Sequence, residues 1–467
     1  MAVPRSACEH ECQAPRRHVD AIAAACAIKH RSSLVPRVCA MLLVATLAQR
    51  SAVLSAADFP HWRGPDRNGV VSEASGWDSQ AWPLKEVWRS QVGEGSSSPV
   101  VAGNRVYTLG WRDQQDVLTC LDLPTGKVLW TTNYRCPRYG RRATGDQGLY
   151  GGPSSTPEFD PQTGWLYTLS TDGDLCCWDT TRQGRRVWEL NLYERYSPPQ
   201  RPRVGRSGLR DYGYTSSPLV LNEQLIVEVG GEAGTLIAFD KKSGKQLWAS
   251  QAQDPAGHTA GPVPISVQGV PCVTVHHFNG LLVARLDKGH EGQTVASYPW
   301  QTSFANNIAT PAVHDDSVVL TSSYNHHQIA RLRVTLDGIT PVWEQDFASK
   351  VCSPVIHQGH VYWAWQEVHC LDFETGKLQW RGGRVGDPGS CLATADDRLI
   401  VWGNRGDLLL VESATRSPRA FQRLAAVERI GRTDAWPHVV LSGGYLLCKD
   451  RGGNLVCLQT GAGERSK

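Results

Sequence analysis

Short stretches of alternating apolar and polar residues recur along the chain, and turns rich in glycine and proline separate them. The stretch SSPVVAGNRVYTLG, which begins at Ser97, is one example, with a tight turn between two apolar strands. Alternation with a period of two is typical of half-buried β-strands, whereas an amphipathic helix repeats its apolar positions every three to four residues. The pattern therefore predicts an all-β chain of short strands.

These stretches belong to an internal repeat. The segment CLDLPTGKVLW (Cys120–Trp130) recurs as AFDKKSGKQLW (Ala238–Trp248) and as CLDFETGKLQW (Cys370–Trp380), with weaker copies between them. A second landmark, a small residue and often a proline before an apolar strand, precedes each copy by about twenty residues and occurs eight times. Four short antiparallel strands repeated about every forty residues are typical of a propeller blade, so we predict an eight-bladed β-propeller.

The two chain termini are predicted to close the ring together. The eighth copy stops at Asn454–Thr460 and lacks a final strand, while an orphan segment, WPLKEVWRSQVG, precedes the first copy. We expect Lys85–Gln91 to complete the eighth blade. Large aromatic side chains that end each blade are predicted to pack between blades as structural residues. These residues are Trp88, Trp130, Trp188, Trp248, Trp300, Trp343, Trp380 and Phe421.

The repeat A/C-x-D-x-x-T/S-G-x-x-x-W resembles the pyrroloquinoline-quinone (PQQ) repeat over nearly all of residues 59–460. That family includes eight-bladed quinoprotein alcohol dehydrogenases and the non-enzymatic propeller lipoprotein of the bacterial outer-membrane assembly machine. The segment WRGPDRNGV (Trp62–Val70) is similar to exported bacterial PQQ-like propellers. The consensus residues build the blade, so the resemblance implies the fold more specifically than the function.

The first 57 residues are predicted to be a secretory leader, with an apolar stretch at Val38–Ala48 and cleavage near Ala57. Residues 58–467 are then a single propeller domain, exported and monomeric, without a transmembrane segment. The leader holds seven of the 48 basic residues and three of the 45 acidic residues, so 41 basic and 42 acidic residues remain in residues 58–467. A nearly neutral chain is not expected to bind nucleic acid.

The resemblance leaves two functions open. The first is a binding or scaffold protein without catalysis, which uses the loops around the central channel to hold a protein or a small ligand and needs no cofactor. The second is a dehydrogenase that depends on PQQ and calcium. The short loops and the absence of a haem-binding Cys-x-x-Cys-His sequence favour the first. No catalytic residues are predicted.

Two insertions, Tyr134–Gly152 and Tyr193–Tyr214, are predicted to emerge on the same face, beside the mouth of the channel. Arginine interleaved with tyrosine favours recognition of an anionic or aromatic partner, although solvated loops would show the same composition. Other polar and aromatic residues stand at or just before the first strand of a blade. The candidate binding residues are Arg138, Arg141, Arg142, Tyr150, Arg203, Arg206, Tyr212, Tyr214, His258, Asn306, Asn307 and Trp436.

Two further motifs are interpreted as structural. The pairs His276-His277 and His326-His327 suggest a metal, but neighbouring strand residues point to opposite faces and cannot chelate one ion. Cys176 and Cys177 resemble the adjacent cysteines of the quinoproteins, yet here they fall inside a predicted strand. We therefore expect two free thiols on opposite faces of a sheet and no disulfide between them.

Overall fold

The computed structural model describes residues 58–79, 81–83, 85–146, 149–205, 208–258, 261–324, 326–387 and 389–461, in which eight antiparallel sheets form a ring. Each sheet is one blade, and in the first seven blades the strands follow one another in the sequence from the channel outwards. This arrangement is the predicted eight-bladed β-propeller. The described residues contain no helix with the length and apolar character needed to cross a membrane.

The middle strands of the first four blades are buried along nearly their whole length, so the alternation predicted from the sequence does not appear in their burial. The segment that precedes them forms β1 (Lys85–Gln91). The strands are β2 (Val100–Ala102), β3 (Arg105–Arg112), β4 (Gln115–Asp122), β5 (Val128–Arg135), β6 (Glu158–Asp160), β7 (Trp165–Leu169), β8 (Asp174–Asp179), β9 (Arg185–Asn191), β10 (Leu219–Leu221), β11 (Gln224–Glu228), β12 (Leu236–Asp240), β13 (Gln246–Ala249), β14 (Val263–Val267), β15 (Val270–His277), β16 (Gly280–Arg285) and β17 (Thr294–Pro299). A short helix, α1 (Leu192–Tyr196), follows β9.

The other four blades continue the same order. Their strands are β18 (Ala312–His314), β19 (Ser317–Ser322), β20 (Gln328–Thr335), β21 (Gly338–Gln345), β22 (Val355–His357), β23 (His360–Asp372), β24 (Leu378–Gly386), β25 (Gly389–Ala393), β26 (Arg398–Gly403), β27 (Asp407–Glu412), β28 (Arg423–Val427), β29 (Val440–Ser442), β30 (Tyr445–Lys449) and β31 (Asn454–Gln459). In the sixth blade the two middle strands run without a break as β23. The rings of Trp363 and His369 stack 4.7 Å apart, which shows that β23 folds back on itself.

The N-terminal strand closes the ring, as predicted. Strand β1 pairs antiparallel with β31, with Trp88 opposite Cys457 and Gln91 opposite Asn454. The eighth blade has the order β1-β31-β30-β29, so strands from both ends of the chain form one sheet. The ring therefore cannot open without breaking this pairing.

Tryptophans of the outer strands pack against a glycine turn of the next blade. Trp88 lies against Gly126, where a Cβ atom would come within 2.5 Å of the indole and where φ is +69°. Only glycine accepts that contact and that backbone conformation without strain. The same contact is made by the pairs Trp130 and Gly184, Trp188 and Gly244, Trp248 and Gly292, and Trp343 and Gly376. The glycine that recurs in this turn of the repeat is thus explained by the tryptophan side chain that packs against it.

Two blade-final assignments were wrong in position. Phe421 precedes β28 and is not part of this strand. Ala425 stands opposite Leu410, at the register position where most blades have tryptophan. The Phe421 ring contacts Gly382 of the preceding blade. Trp300 follows β17, and Ala296 stands at the register position where most blades have tryptophan. Trp300 still joins two blades, because its indole N–H donates to Ser322 Oγ at 2.9 Å. In both blades an alanine thus takes the register position of the tryptophan, which the spacing of aromatic residues did not reveal.

Cys176 and Cys177 are free, buried thiols on β8, as predicted. Cys176 packs with Tyr134 and Trp178, whereas Cys177 belongs to a different apolar cluster with Tyr167 and Phe239. The two side chains therefore point to opposite faces of the blade.

The segment 59–71, which contains WRGPDRNGV, crosses the central channel. Phe59 exchanges two backbone hydrogen bonds with Val101 in the first blade, and Val71 N–H donates to Ala393 in the seventh. The Trp62 indole N–H donates to Thr310 Oγ1 in the fifth blade at 3.1 Å. We call residues 59–71 the channel plug, because they join the first strands of opposite blades and close the channel at one end.

Candidate binding site at the channel mouth

A cavity of about 320 Å³ opens at the end of the channel opposite the plug. All eight blades contribute residues at or just before their first strands, and Trp62 of the channel plug also lines the cavity. The lining residues are Trp62, Ser96, Asp146, Tyr150, Gly152, Ser154, Arg210, Tyr212, Thr215, His258, Phe304, Asn306, Ile308, Tyr324, Lys350, Val351, Cys352, Ser353, Gly389, Ser390, Trp436 and His438. Concave, largely aromatic sites of this size are typical of small-ligand binding.

Both insertions reach this mouth, as predicted. The first supplies Asp146 and Tyr150 and the second supplies Arg210 and Tyr212, and Arg210 forms an ion pair with Asp146. The Tyr212 hydroxyl also donates to Asp146 Oδ2 at 3.2 Å. The two insertions therefore hold each other in place across the cavity wall.

Five of the predicted binding residues line the cavity together: Tyr150, Tyr212, His258, Asn306 and Trp436. Tyr150 and Trp436 stack with ring centroids 4.9 Å apart and an angle of 25° between the rings. Tyr212 meets Tyr150 edge-on at 6.2 Å. These rings form a continuous apolar wall, which we call the aromatic wall.

His258 supports the aromatic wall in its neutral form. Its Nδ1–H donates to the Ala305 carbonyl at 2.7 Å, and its Nε2 accepts from the Tyr212 backbone N–H at 3.2 Å. Burial of the imidazole lowers the pKa of His258 well below its usual range. The ring therefore stays uncharged at neutral pH and fixes the position of Tyr212.

The remaining predicted residues do not line the cavity. Arg138 binds both carboxylate oxygens of Glu94, and Arg141 binds Asp172. Arg142 donates to the Pro198 carbonyl at 2.6 Å and lies 4.8 Å from the Tyr193 ring centroid. The structure thus corrects our expectation that these side chains are free for a partner: they fasten the insertions to the blades.

Tyr214 and Asn307 are likewise occupied within the fold. The Tyr214 hydroxyl donates to the Val229 carbonyl, and the Asn307 amide nitrogen lies within hydrogen-bond distance of three backbone carbonyls. Arg203 is exposed outside the cavity, and Arg206 lies outside the described residues.

Phe304, Tyr324 and Lys350 line the cavity but were not among the predicted binding residues, and Arg210 was noticed only as one arginine of the second insertion. Phe304 and Tyr324 lie with ring centroids 5.6 Å apart. Arg210 stands 5.7 Å from the Phe304 centroid, and Lys350 Nζ stands 6.0 Å from that of Tyr324. Trp62 forms the floor, and its motif was noticed only as a family resemblance.

The histidine pairs do not form a metal site. His276 is completely buried on β15, and the His326 ring packs against Trp300 at 4.1 Å. Among the residues that the structure describes, no three or more His, Cys, Asp or Glu side chains are grouped closely enough to hold a metal ion.

Glu228, buried behind the second insertion, makes stability depend on pH. Its Oε1 accepts the Gly257 N–H at 2.8 Å, and burial raises its pKa to about 7. Because the unfolded carboxyl titrates near about 4.3, the folded state binds the proton more tightly, and this group costs stability as the pH rises from about 4.3 to about 7. Asp116, whose pKa burial also raises to about 7, acts in the same direction.

We expect Glu228→Gln to remove the contribution of Glu228 to the loss of stability with rising pH. Urea unfolding across this pH range should show a smaller decline in the free energy of unfolding for the variant than for the wild type. Identical pH profiles of the two proteins would contradict the assignment.

Comparison with known proteins agrees with this fold. The family model described as outer membrane protein assembly factor BamB matches residues 84–141 and 140–382. BamB from Moraxella catarrhalis aligns with a TM-score of 0.54 and 13% identity, covering 80% of this chain and 99% of that one. Quinohemoprotein alcohol dehydrogenase from Comamonas testosteroni aligns with a TM-score of 0.62 and 13% identity, covering 90% of this chain and 82% of that one.

A third similar structure is Sqt1 from Saccharomyces cerevisiae, with a TM-score of 0.52 and 12% identity, covering 80% of this chain and 96% of that one. At these identities the structural likeness shows the fold alone. No curated protein sequence matches the chain.

Proposed function

We propose that this chain, which belongs to the PQQ-repeat propeller family described as outer membrane protein assembly factor BamB, is an exported binding protein that catalyses no reaction. Its binding site is the cavity at the channel mouth. The observation that carries the proposal is the aromatic wall over a closed floor: Tyr150, Tyr212 and Trp436 surround a space that ends at Trp62. Such a site encloses a ligand on several sides.

The chemical groups of the cavity favour binding over catalysis. Asp146 is the single carboxylate among the described lining residues, and it is engaged by Arg210 and by the Tyr212 hydroxyl. A general base needs a free carboxylate or imidazole within reach of the substrate, and both nitrogens of His258 are already bonded. His438, the other imidazole among the described lining residues, is buried, and its Nδ1 bonds the Val439 carbonyl at 2.7 Å.

A calcium-bound quinone does not fit these residues. Calcium takes about six to eight oxygen ligands, most of them from carboxylates and carbonyls. Asp146 is the single carboxylate among the described lining residues, and that side chain is neutralised by Arg210.

The proposed function predicts a ligand that copurifies with the protein. Native mass spectrometry of the protein isolated from its producing cells is expected to show an added mass that Trp436→Ala removes, while Leu149→Ala keeps it. Leu149 is a control because it neighbours Tyr150 of the aromatic wall but is 60% exposed and lies outside the cavity lining. Addition of PQQ and calcium is expected to give neither a bound quinone spectrum nor dye reduction with alcohols; either signal would support the dehydrogenase.

A protein scaffold is the second candidate function. The family description refers to an assembly factor, and the rim of the cavity exposes Leu149 and Leu209, one on each insertion. Leu149 and Leu209 are the large apolar side chains that the two insertions expose among the described residues, so they are the positions at which to test a protein contact. If the rim binds a protein, the double variant Leu149→Glu, Leu209→Glu should lose a crosslinked complex in the envelope while keeping the copurified ligand.

A further inference from the structure

The charges around the cavity are arranged in neutral pairs. Arg210 is paired with Asp146 and Lys350 with Asp387, and Arg451 stands 3.7 Å from Asp434. Each cation at the rim therefore has a carboxylate of this same chain beside it. A ligand that carries a net charge would have to displace one of these partners.

A cationic ligand is disfavoured for a second reason. Aromatic rings attract cations at their faces, but the chain's own cations already occupy these contacts. The Arg451 guanidinium lies 5.0 Å from the Tyr150 centroid and 4.8 Å from that of Trp436, while Arg210 and Lys350 stand beside Phe304 and Tyr324. An additional positive charge would meet like charges around the cavity.

An anionic ligand meets the opposite obstacle. Every cation that faces the cavity shares its charge with an aspartate, and Asp146 itself lines the wall. A carboxylate or phosphate placed against Arg210 would lie close to that aspartate. The paired charges thus favour a ligand without net charge.

The same pairs suit hydroxyl groups. A hydroxyl both donates and accepts hydrogen bonds, so it satisfies an arginine and an aspartate that stand side by side. Asn306, with a donor and an acceptor on one amide, offers the same combination. Tyr212 of the aromatic wall, whose ring face none of these cations occupies, supplies an apolar surface for the C–H face of a ring.

We propose that the ligand of this cavity is an uncharged pyranose sugar, bound with its ring against the aromatic wall and its hydroxyls on the Arg210 and Asp146 pair. This inference rests on the proposed function of the cavity as a binding site. The volume of about 320 Å³ lies at the small end of the range for ligand sites, which fits a ligand of one or two rings.

The test compares sugars of one ring shape and different charge. Isothermal titration calorimetry with the full chain would use the neutral methyl glycosides of glucose, galactose, mannose and N-acetylglucosamine. Glucuronate and protonated glucosamine serve as the anionic and cationic counterparts. We expect at least one neutral glycoside to bind, and the charged sugars to bind at least tenfold more weakly.

Variants locate that binding. Trp436→Ala and Asp146→Asn are each expected to weaken it at least tenfold. Leu247→Ala, on β13 and outside the cavity lining, is expected to leave it unchanged, and urea unfolding of each variant shows that it is folded. Asp146→Asn keeps the size of the side chain, so it tests the inference even if Trp436→Ala fails to fold.

Three results would overturn the inference: tighter binding of a charged sugar, neutral binding that neither variant changes, or no binding of any neutral glycoside. If the glycosides fail while a copurified mass is still lost in Trp436→Ala, the sugar inference falls and the binding function stands. If no copurified mass exists either, both fall.

Discussion

Replacing Trp88 by alanine is expected to lower the free energy of unfolding by about 3 to 5 kcal/mol, the cost of truncating a large buried aromatic side chain. Trp88 is 9% exposed, and its indole N–H donates to the Leu123 carbonyl of the first blade at 2.7 Å. It also sits on β1, which joins the two ends of the chain in one blade. The truncation therefore weakens both the contact between two blades and the closure of the ring. Urea unfolding followed by circular dichroism measures the effect.

Leu247→Ala is the matched control for Trp88→Ala. Leu247 directly precedes the blade-final Trp248 and is 50% exposed, so its truncation is expected to change the free energy of unfolding by no more than about 0.5 kcal/mol. A loss below about 1 kcal/mol for Trp88→Ala would show that ring closure does not depend on this side chain.

Replacing Glu158 by glutamine is expected to cost a similar amount, about 3 to 5 kcal/mol at neutral pH, because it leaves a buried cation without its partner. Glu158 is 1% exposed and binds Arg67 of the channel plug; its Oε2 lies 3.1 Å from His61 Nδ1, and its Oε1 accepts the Val220 N–H at 2.9 Å. Burial by itself would raise the pKa of Glu158, but Arg67 and His61 hold that pKa below its usual value.

The sign of the pH effect follows from that lowered pKa. The ionised Glu158 stabilises the folded state above the pKa of the unfolded carboxyl, near about 4.3, and this contribution is lost as the pH falls through the lower pKa of the folded state. The difference between the wild type and Glu158→Gln should therefore shrink in acid. Unfolding measured at neutral and acidic pH checks this expectation.

Loss of Glu158 should also loosen the channel plug. Arg63 and Arg67 are trypsin sites within the plug, and Arg63 is completely buried in the folded protein. We expect faster tryptic cleavage at these residues in Glu158→Gln, since local opening exposes the backbone. Glu86→Gln is the control: its ion pair with Arg89 is exposed on β1, so its loss should cost about 0.2 to 1 kcal/mol and leave the cleavage rate unchanged. Equal cleavage in both variants would contradict this role.

The blades were predictable because their signals are local. A period of two, a turn glycine and a tryptophan at a fixed distance specify each hairpin without reference to the rest of the chain. The missing strand of the eighth copy then predicted that β1 pairs with β31. The same local reasoning failed for Phe421 and Trp300, because in these two blades an alanine stands at the register position of the tryptophan and an aromatic residue lies nearby in the sequence.

The binding site was predicted only in part. The repeat placed His258, Asn306 and Trp436 near the channel mouth, but it did not distinguish Asn306, which faces the cavity, from Asn307, which bonds backbone carbonyls. The channel plug has no periodic pattern. Its position depends on contacts with blades that are far apart in the sequence.

The sequence by itself determined the number of blades, the way the ring closes and the free state of Cys176 and Cys177. Only the tertiary structure decided which arginines are available to a ligand. Arg138 and Arg141 are neutralised by Glu94 and Asp172, which come from other segments of the chain. Local patterns arise from the geometry of neighbouring residues, whereas the pairing of charges depends on distances that exist only after the ring has closed.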